Sequence, residues 1–228
     1  MVEPGRTTER TSLARLILVP ALISLAVTIL RLAGEIGHWS EKWFSSETGG
    51  IVPNGLSWVV GITWLAVPFG VYFALKLARS GNRPASNARA VAIGILGLVV
   101  VIGLMAFIRT LHLELRPRLL LIWSAMALGA IIQLAAWPAL FKTLLAYGLA
   151  SRIPVVIVMF LAMRGDWGTH YDYVGIELQM NLLTRFFWLA FFPQLVFWVG
   201  FTIVAGSLSG SLAAAIMPRP NREQAVTS

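Results

Sequence analysis

Apolar residues in this chain come in long runs, neither alternating with polar ones nor spaced to give an amphipathic helix, and the charged residues gather between the runs. Three runs, residues 12–33, 56–77 and 90–108, each approach the roughly 20 residues that a helix needs to cross a bilayer. A fourth, 119–163, is too long for one crossing. Trp137-Pro138 followed by Lys142 breaks it, because proline lacks an N–H and lysine draws its ammonium towards the interface. The split gives spans at 119–138 and 143–163. The last run carries no charge between Arg185 and Met217. Its span is placed at 183–205, with the Ser/Gly-rich stretch 206–217 as a helical extension or an interfacial piece. The pattern predicts an all-α protein, a polytopic integral membrane protein whose single domain, 1–228, is a six-helix transmembrane bundle.

Composition agrees. Of 228 residues, 57% are hydrophobic and 12% charged, against about a quarter charged in soluble chains. Arg6, Arg10 and Arg15 precede the first run, but that run is too long for a signal-peptide core and no small-residue cleavage site follows, so it reads as an uncleaved span. A net charge of +8 would point to nucleic acid in a soluble protein; with the basic residues flanking apolar spans it points to lipid head groups instead. Six spans put ten cations (Arg6, Arg10, Arg15, Lys76, Arg79, Arg83, Arg89, Lys142, Arg219, Arg222) on the side of the termini and six (Lys42, Arg109, Arg116, Arg118, Arg164, Arg185) on the other. The positive-inside rule then places both termini in the cytoplasm of a cell-membrane protein. Trp39, Trp43, Trp58, Trp167, Tyr171 and Tyr173 fall near the outer boundary, where aromatic side chains with a polar edge act as anchors.

Two outer loops share a string. Gly34-Glu35-Ile36-Gly37-His38-Trp39 resembles Gly165-Asp166-Trp167-Gly168-Thr169-His170-Tyr171 with one insertion. The spans that follow contain Trp64-Leu65-Ala66-Val67-Pro68 and Trp188-Leu189-Ala190-Phe191-Phe192-Pro193. Order and sidedness agree with a parallel repeat of helical hairpins, a plan common in transporters. Glycine stop signals and membrane aromatics arising independently give the same matches.

The chemistry on offer is sparse. With no cysteine there is no disulfide, thiolate metal site or iron–sulfur cluster. No histidine lies within a span, which argues against haem between helices, and no nucleotide-binding loop is present. His38, His112 and His170 fall one in each outer loop beside acids, notably Glu35 and Asp166. Imidazole with carboxylate suits a divalent metal if the loops converge, although no fixed-spacing motif requires it. Arg31, one turn before Gly34, is placed to snorkel to the outer interface.

Arg152 is the sharpest single feature. It sits mid-span, where an arginine costs about 2.5–3.5 kcal/mol on insertion scales, and Pro154 deprives the Ala150 carbonyl of its helical partner. The segment Ser151-Arg152-Ile153-Pro154 therefore reads as a local break facing a polar interior, with Gln133 and Gln194 as neighbours and a small anionic solute or lipid as ligand. A structural arginine bonded to helix carbonyls is the competing reading. Gly206 and Gly210 form a GxxxG pair, suited to close packing within the bundle or to a homo-oligomer. Three function classes follow: a bundle that binds or transports a small solute or lipid near Arg152, an accessory or scaffold subunit of a membrane complex, and a metal-dependent membrane enzyme with its site at the outer face.

Overall fold

The computed structural model describes residues 12–46, 56–173 and 180–217. Arg6, Arg10, Arg219 and Arg222, used above to orient the chain, lie outside the described residues. Every regular element among those described is helical. We label the helices α1 (Leu13–Ile36), α2 (Ala66–Arg79), α3 (Asn87–Thr110), α4 (Leu115–Ile132), α5 (Pro138–Gly165) and α6 (Leu182–Ile216). All but α2 are long and apolar enough to cross a bilayer, and their outward faces carry large apolar side chains such as Leu18, Val99, Ile131 and Leu183. By length and composition this is an integral membrane protein.

Local chemistry sets the boundaries. Ser12, Ser86 and Asn181 cap α1, α3 and α6, each side chain accepting the N–H three residues on. A tight turn, Gln133–Ala135, ends α4, and Pro138 opens α5 at the position where a missing N–H costs nothing. The break at Trp137-Pro138 is thus real, and Lys142 lies inside the first turns of α5. The stretch 206–217 continues the last helix. Residues 56–77, expected as one span, behave differently. They form irregular turns to residue 62, a 3₁₀ turn at Thr63–Leu65, and only then α2, of 14 residues. Pro154 does not break α5, which runs unbroken through it.

Helix α6 is the hub, packing against α2, α3, α4 and α5, while α1 lies against α5. The two ends of the bundle are fixed by polar contacts. At one end Trp137 Nε1 donates to the Asn82 carbonyl (2.9 Å) and Asn87 Nδ2 to the Ala214 carbonyl (3.2 Å). At the other, Glu35 at the end of α1 meets His170 just after α5. Between them Ser24 and Tyr147 share a hydroxyl hydrogen bond of 2.8 Å. The core around Phe73, Leu140, Leu144 and Tyr147 fills the half of the bundle where α2 lies.

Both glycines of the GxxxG pair face α2. A β-carbon on Gly70 would lie 2.5 Å from the Gly206 Cα, and one on Gly210 would lie 2.7 Å from the Gly70 carbonyl oxygen. These are backbone atoms and cannot yield, so the small residues serve packing inside the bundle. Gly70→Ala should therefore destabilise the protein by about 1–3 kcal/mol. Gly103→Ala, at a position with nothing within 4 Å, should be neutral or stabilising. Thermal unfolding of the two variants in lipid nanodiscs measures the contrast.

Candidate functional site

The end of the bundle away from Trp137 and Asn82 is built around Glu35. Helix α5 stops where Asp166 takes a left-handed conformation (φ +50°). Beyond it, the Asp172 carboxylate accepts from the Gly168 N–H (2.9 Å), the Thr169 N–H (2.7 Å) and the Thr169 hydroxyl (2.6 Å). That self-capped turn presents His170 to α1. The His170 N–H donates to Glu35 Oε2 (2.8 Å), and its Nδ1 lies 2.6 and 2.8 Å from the two carboxylate oxygens. From the preceding turn of α1, Arg31 Nε donates to Glu35 Oε1 (2.8 Å) and its Nη1 to the Ser57 carbonyl (3.2 Å). One buried carboxylate thus ties α1, the irregular segment 56–62 and the loop after α5 together.

Burial holds the His170 pKa below its ordinary value of 6.5, despite the hydrogen bond to Glu35, and the Arg31 charge pushes the same way. The ring is therefore neutral near pH 7, with Nδ1 as the donor to Glu35 and a lone pair on Nε2. Burial also pushes the Tyr171 phenol up; its hydroxyl donates to the Thr28 carbonyl (3.3 Å).

Deeper in the bundle sits Arg152, fourteen residues after Pro138 and thirteen before Gly165, with 4% of its surface exposed. Its Nη1 donates to Gln194 Oε1 (3.2 Å) and its Nη2 to Thr63 Oγ1 (3.3 Å). Nε has no partner. The guanidinium lies 5.1 Å from the Trp198 ring centroid, and Tyr147 and Tyr171 are within electrostatic reach. Gln194 and Trp198 belong to a stretch of α6 wound as π-helix, Phe187–Phe191 and Pro193–Trp198. Pro193 cannot donate in the ladder, and the wider turns carry the following side chains round towards α5.

The structure brings together some of the residues singled out from sequence and not others. Gln194 meets Arg152. Gln133 does not: its Nε2 donates to the Ile93 and Gly129 carbonyls between α3 and α4, at the far end of the bundle, since α5 rises roughly 21 Å from Pro138 to Arg152 at about 1.5 Å per residue. Glu35 and His170 pair, whereas His38, His112 and Asp166 are exposed. Among the described residues no group of three histidines or acids is gathered as metal ligands. Tyr171 is buried rather than anchored at the interface, and Arg31 turns to Glu35 rather than snorkelling outward. The Arg152 partners are side chains, not helix carbonyls. Its neighbours Thr63 and Trp198 were missed, the first because it was assigned to a regular span. The Arg31–Glu35 pair was readable from its i, i+4 spacing. The two similar strings differ in structure: Glu35 is helical and buried, while Asp166 lies beyond a helix end and is exposed. Comparison with protein-family models, with curated proteins and with solved structures finds no match to this chain.

The His170 shift makes stability depend on pH. Its folded pKa lies below its unfolded one, so the unfolded chain takes up the proton first as the medium is acidified. The stability contributed by the neutral ring should be complete above about pH 6.5 and should fall as pH drops through the lower folded value. Denaturation of the wild type and His170→Gln across this range should show a loss towards acid that is smaller in the variant.

Proposed function

We propose that this protein binds a small anion, or an anionic lipid head group, at Arg152 inside the bundle, as the binding step of a transporter or carrier. The observation that carries this reading is the unmet charge of Arg152. A guanidinium cannot lose its proton inside a protein, and a buried cation is ordinarily paired. Here the two acceptors are neutral, and their hydrogen bonds of 3.2 and 3.3 Å exceed the roughly 2.7–2.9 Å usual between ionised partners. Nε donates to nothing. Among the described residues the buried carboxylates at this end are already engaged, Glu35 by Arg31 and His170 and Asp172 by Gly168 and Thr169.

The irregular backbone beside Arg152 supports the same reading. Non-helical chain at membrane depth is tolerated where it is buried in protein or lines a polar space. Thr63 opens the 3₁₀ turn that follows such a segment, and Gln194 lies on a π-wound one.

The reading carries a topology of six crossings with both termini cytoplasmic. The polar contacts that fix the two ends of the bundle support it, because the chain must return from Glu35 to Asn82 between α1 and α3. Reporter fusions after Arg83 and at the C-terminus should report cytoplasm, and one near Glu47 the exterior. An external C-terminus would remove the sixth crossing.

Arg152→Met tests the site, since methionine keeps the bulk and removes the charge. The full chain in nanodiscs of zwitterionic lipid is titrated with simple carboxylates, phosphate esters and sulfonates while thermal unfolding is followed. At least one anion class should raise the wild-type unfolding temperature and leave Arg152→Met unchanged. An equal effect on both proteins, or none on either, removes the reading.

A further inference from the structure

We infer that the anion is a monocarboxylate with an apolar body, taken edge-on by Nε and Nη2 of Arg152 in place of Thr63. This rests on the reading of Arg152 as the anion site and adds the chemical class of the ligand.

Charge sets the first limit. Arg31 and Glu35 cancel one another at the outer end. Around Arg152 stand Gln194, Thr63, Tyr147, Tyr171 and the Trp198 ring, all uncharged near pH 7. The site therefore offers one positive charge. A monoanion balances it; a dianion would leave a net negative charge where desolvation is costly.

Geometry sets the second. Nη1 is held by the Gln194 amide oxygen, which fixes one edge of the fork. On the other edge Nε has no partner and Nη2 has only a threonine hydroxyl at 3.3 Å. Nε–H and the adjacent Nη2–H point the same way, at the spacing of the two oxygens of a planar carboxylate, and such paired bonds are the strong mode of arginine recognition. A tetrahedral head group meets the same fork but must also place a third oxygen. Among the described residues no charged donor stands ready to receive it.

The surroundings set the third. Val155, Met159, Ile62 and Tyr171 pack beside the site, and Trp198 covers one face of the guanidinium. They offer an apolar or aromatic body no further polar partner. Thr63 is the replaceable group: it sits in the 3₁₀ turn that follows the irregular segment, and giving up its contact with Arg152 costs one long hydrogen bond to a neutral acceptor.

The test uses the full chain in phosphatidylcholine nanodiscs and isothermal titration with four matched probes: benzoate, benzenesulfonate, phenyl phosphate and benzamide. At about pH 8 phenyl phosphate is a dianion, since its second ionisation lies near pH 6. Benzoate should bind at least about tenfold more tightly than either other anion, and benzamide should not bind. Arg152→Lys should lose the preference for carboxylate over sulfonate, because an ammonium is a point charge without a fork. Thr63→Val, nearly isosteric, should bind benzoate as well as the wild type or better. Octanoate in a parallel titration separates the sources: tighter binding than benzoate marks a fatty acid, and weaker binding a compact solute. Equal or tighter binding of sulfonate or phosphate, lost in Arg152→Met, overturns the carboxylate class and leaves the Arg152 site standing. Loss of benzoate binding in Thr63→Val overturns the displacement. If neither carboxylate binds while another anion binds through Arg152, the class alone fails; if no anion binds, class and site fail together.

Discussion

A permanent positive charge in the middle of α5 is the constraint around which the Glu35 half of this bundle is arranged. Arg152 is shielded on every side and cannot shed its proton. Lipid offers it no acceptor, so the face of α5 that carries it must turn inward and neighbouring elements must bring polar atoms to it. Two of them do so by leaving regular α-helix. The chain before α2 tightens into a 3₁₀ turn and delivers Thr63, and α6 widens into π-turns and delivers Gln194 and Trp198. The opposite half of the bundle, where α2 and α6 touch at glycine, has no such demand and is packed by small, aliphatic and aromatic side chains.

The second polar centre serves the first. Glu35 receives Arg31 from its own helix and His170 from the loop after α5, and Arg31 also holds the Ser57 carbonyl. Residue 57 opens the same segment that ends in Thr63. The two arginines therefore grip that segment at both ends, one through a backbone carbonyl and one through a side chain. Tyr171, packed with Ile62, Val155 and Leu32, fills the space between the two polar centres. Both centres thus bear on this one segment, whose backbone has few helical hydrogen bonds of its own.

The helices themselves were legible because run length and charge placement act locally. The break at Trp137-Pro138 is a statement about a few neighbouring residues, and it carried over. The second run misled because hydropathy does not separate a regular helix from apolar chain that other helices cover; residues 56–62 are apolar enough to span and fold as turns. Proline was read in the wrong place: Pro154 leaves α5 continuous, while Pro193 falls within wide turns. Arg152 announced itself by position, and so did Gln194, because an uncharged amide on a neighbouring span is one of few groups able to meet it. Gln133 carried the same signal and is spent on α3 and α4 carbonyls, since sequence does not say how far along its neighbour a residue stands. The pairing of Glu35 with His170 was hidden for another reason: in the two similar strings each acid has a histidine close by, and the fold joins the acid of one to the histidine of the other.

That crossed pairing bears on why this end of the bundle is asymmetric. Two equivalent hairpins would each satisfy their own acid and histidine and leave the helices independent at that end. Here Glu35 is drawn into α1 and covered, so its charge must be met from outside the hairpin as well as by Arg31, and the loop after α5 is the element that reaches it. Asp166, its counterpart in the string, stays exposed past the end of α5 and needs no partner. Burying one acid and exposing the other turns two similar loops into a lock and a free end. The locked side stands over the same three elements, α1, α5 and the segment leading to Thr63, that enclose Arg152. The clasp that closes this end of the bundle is held by hydrogen bonds and charge rather than by an apolar plug.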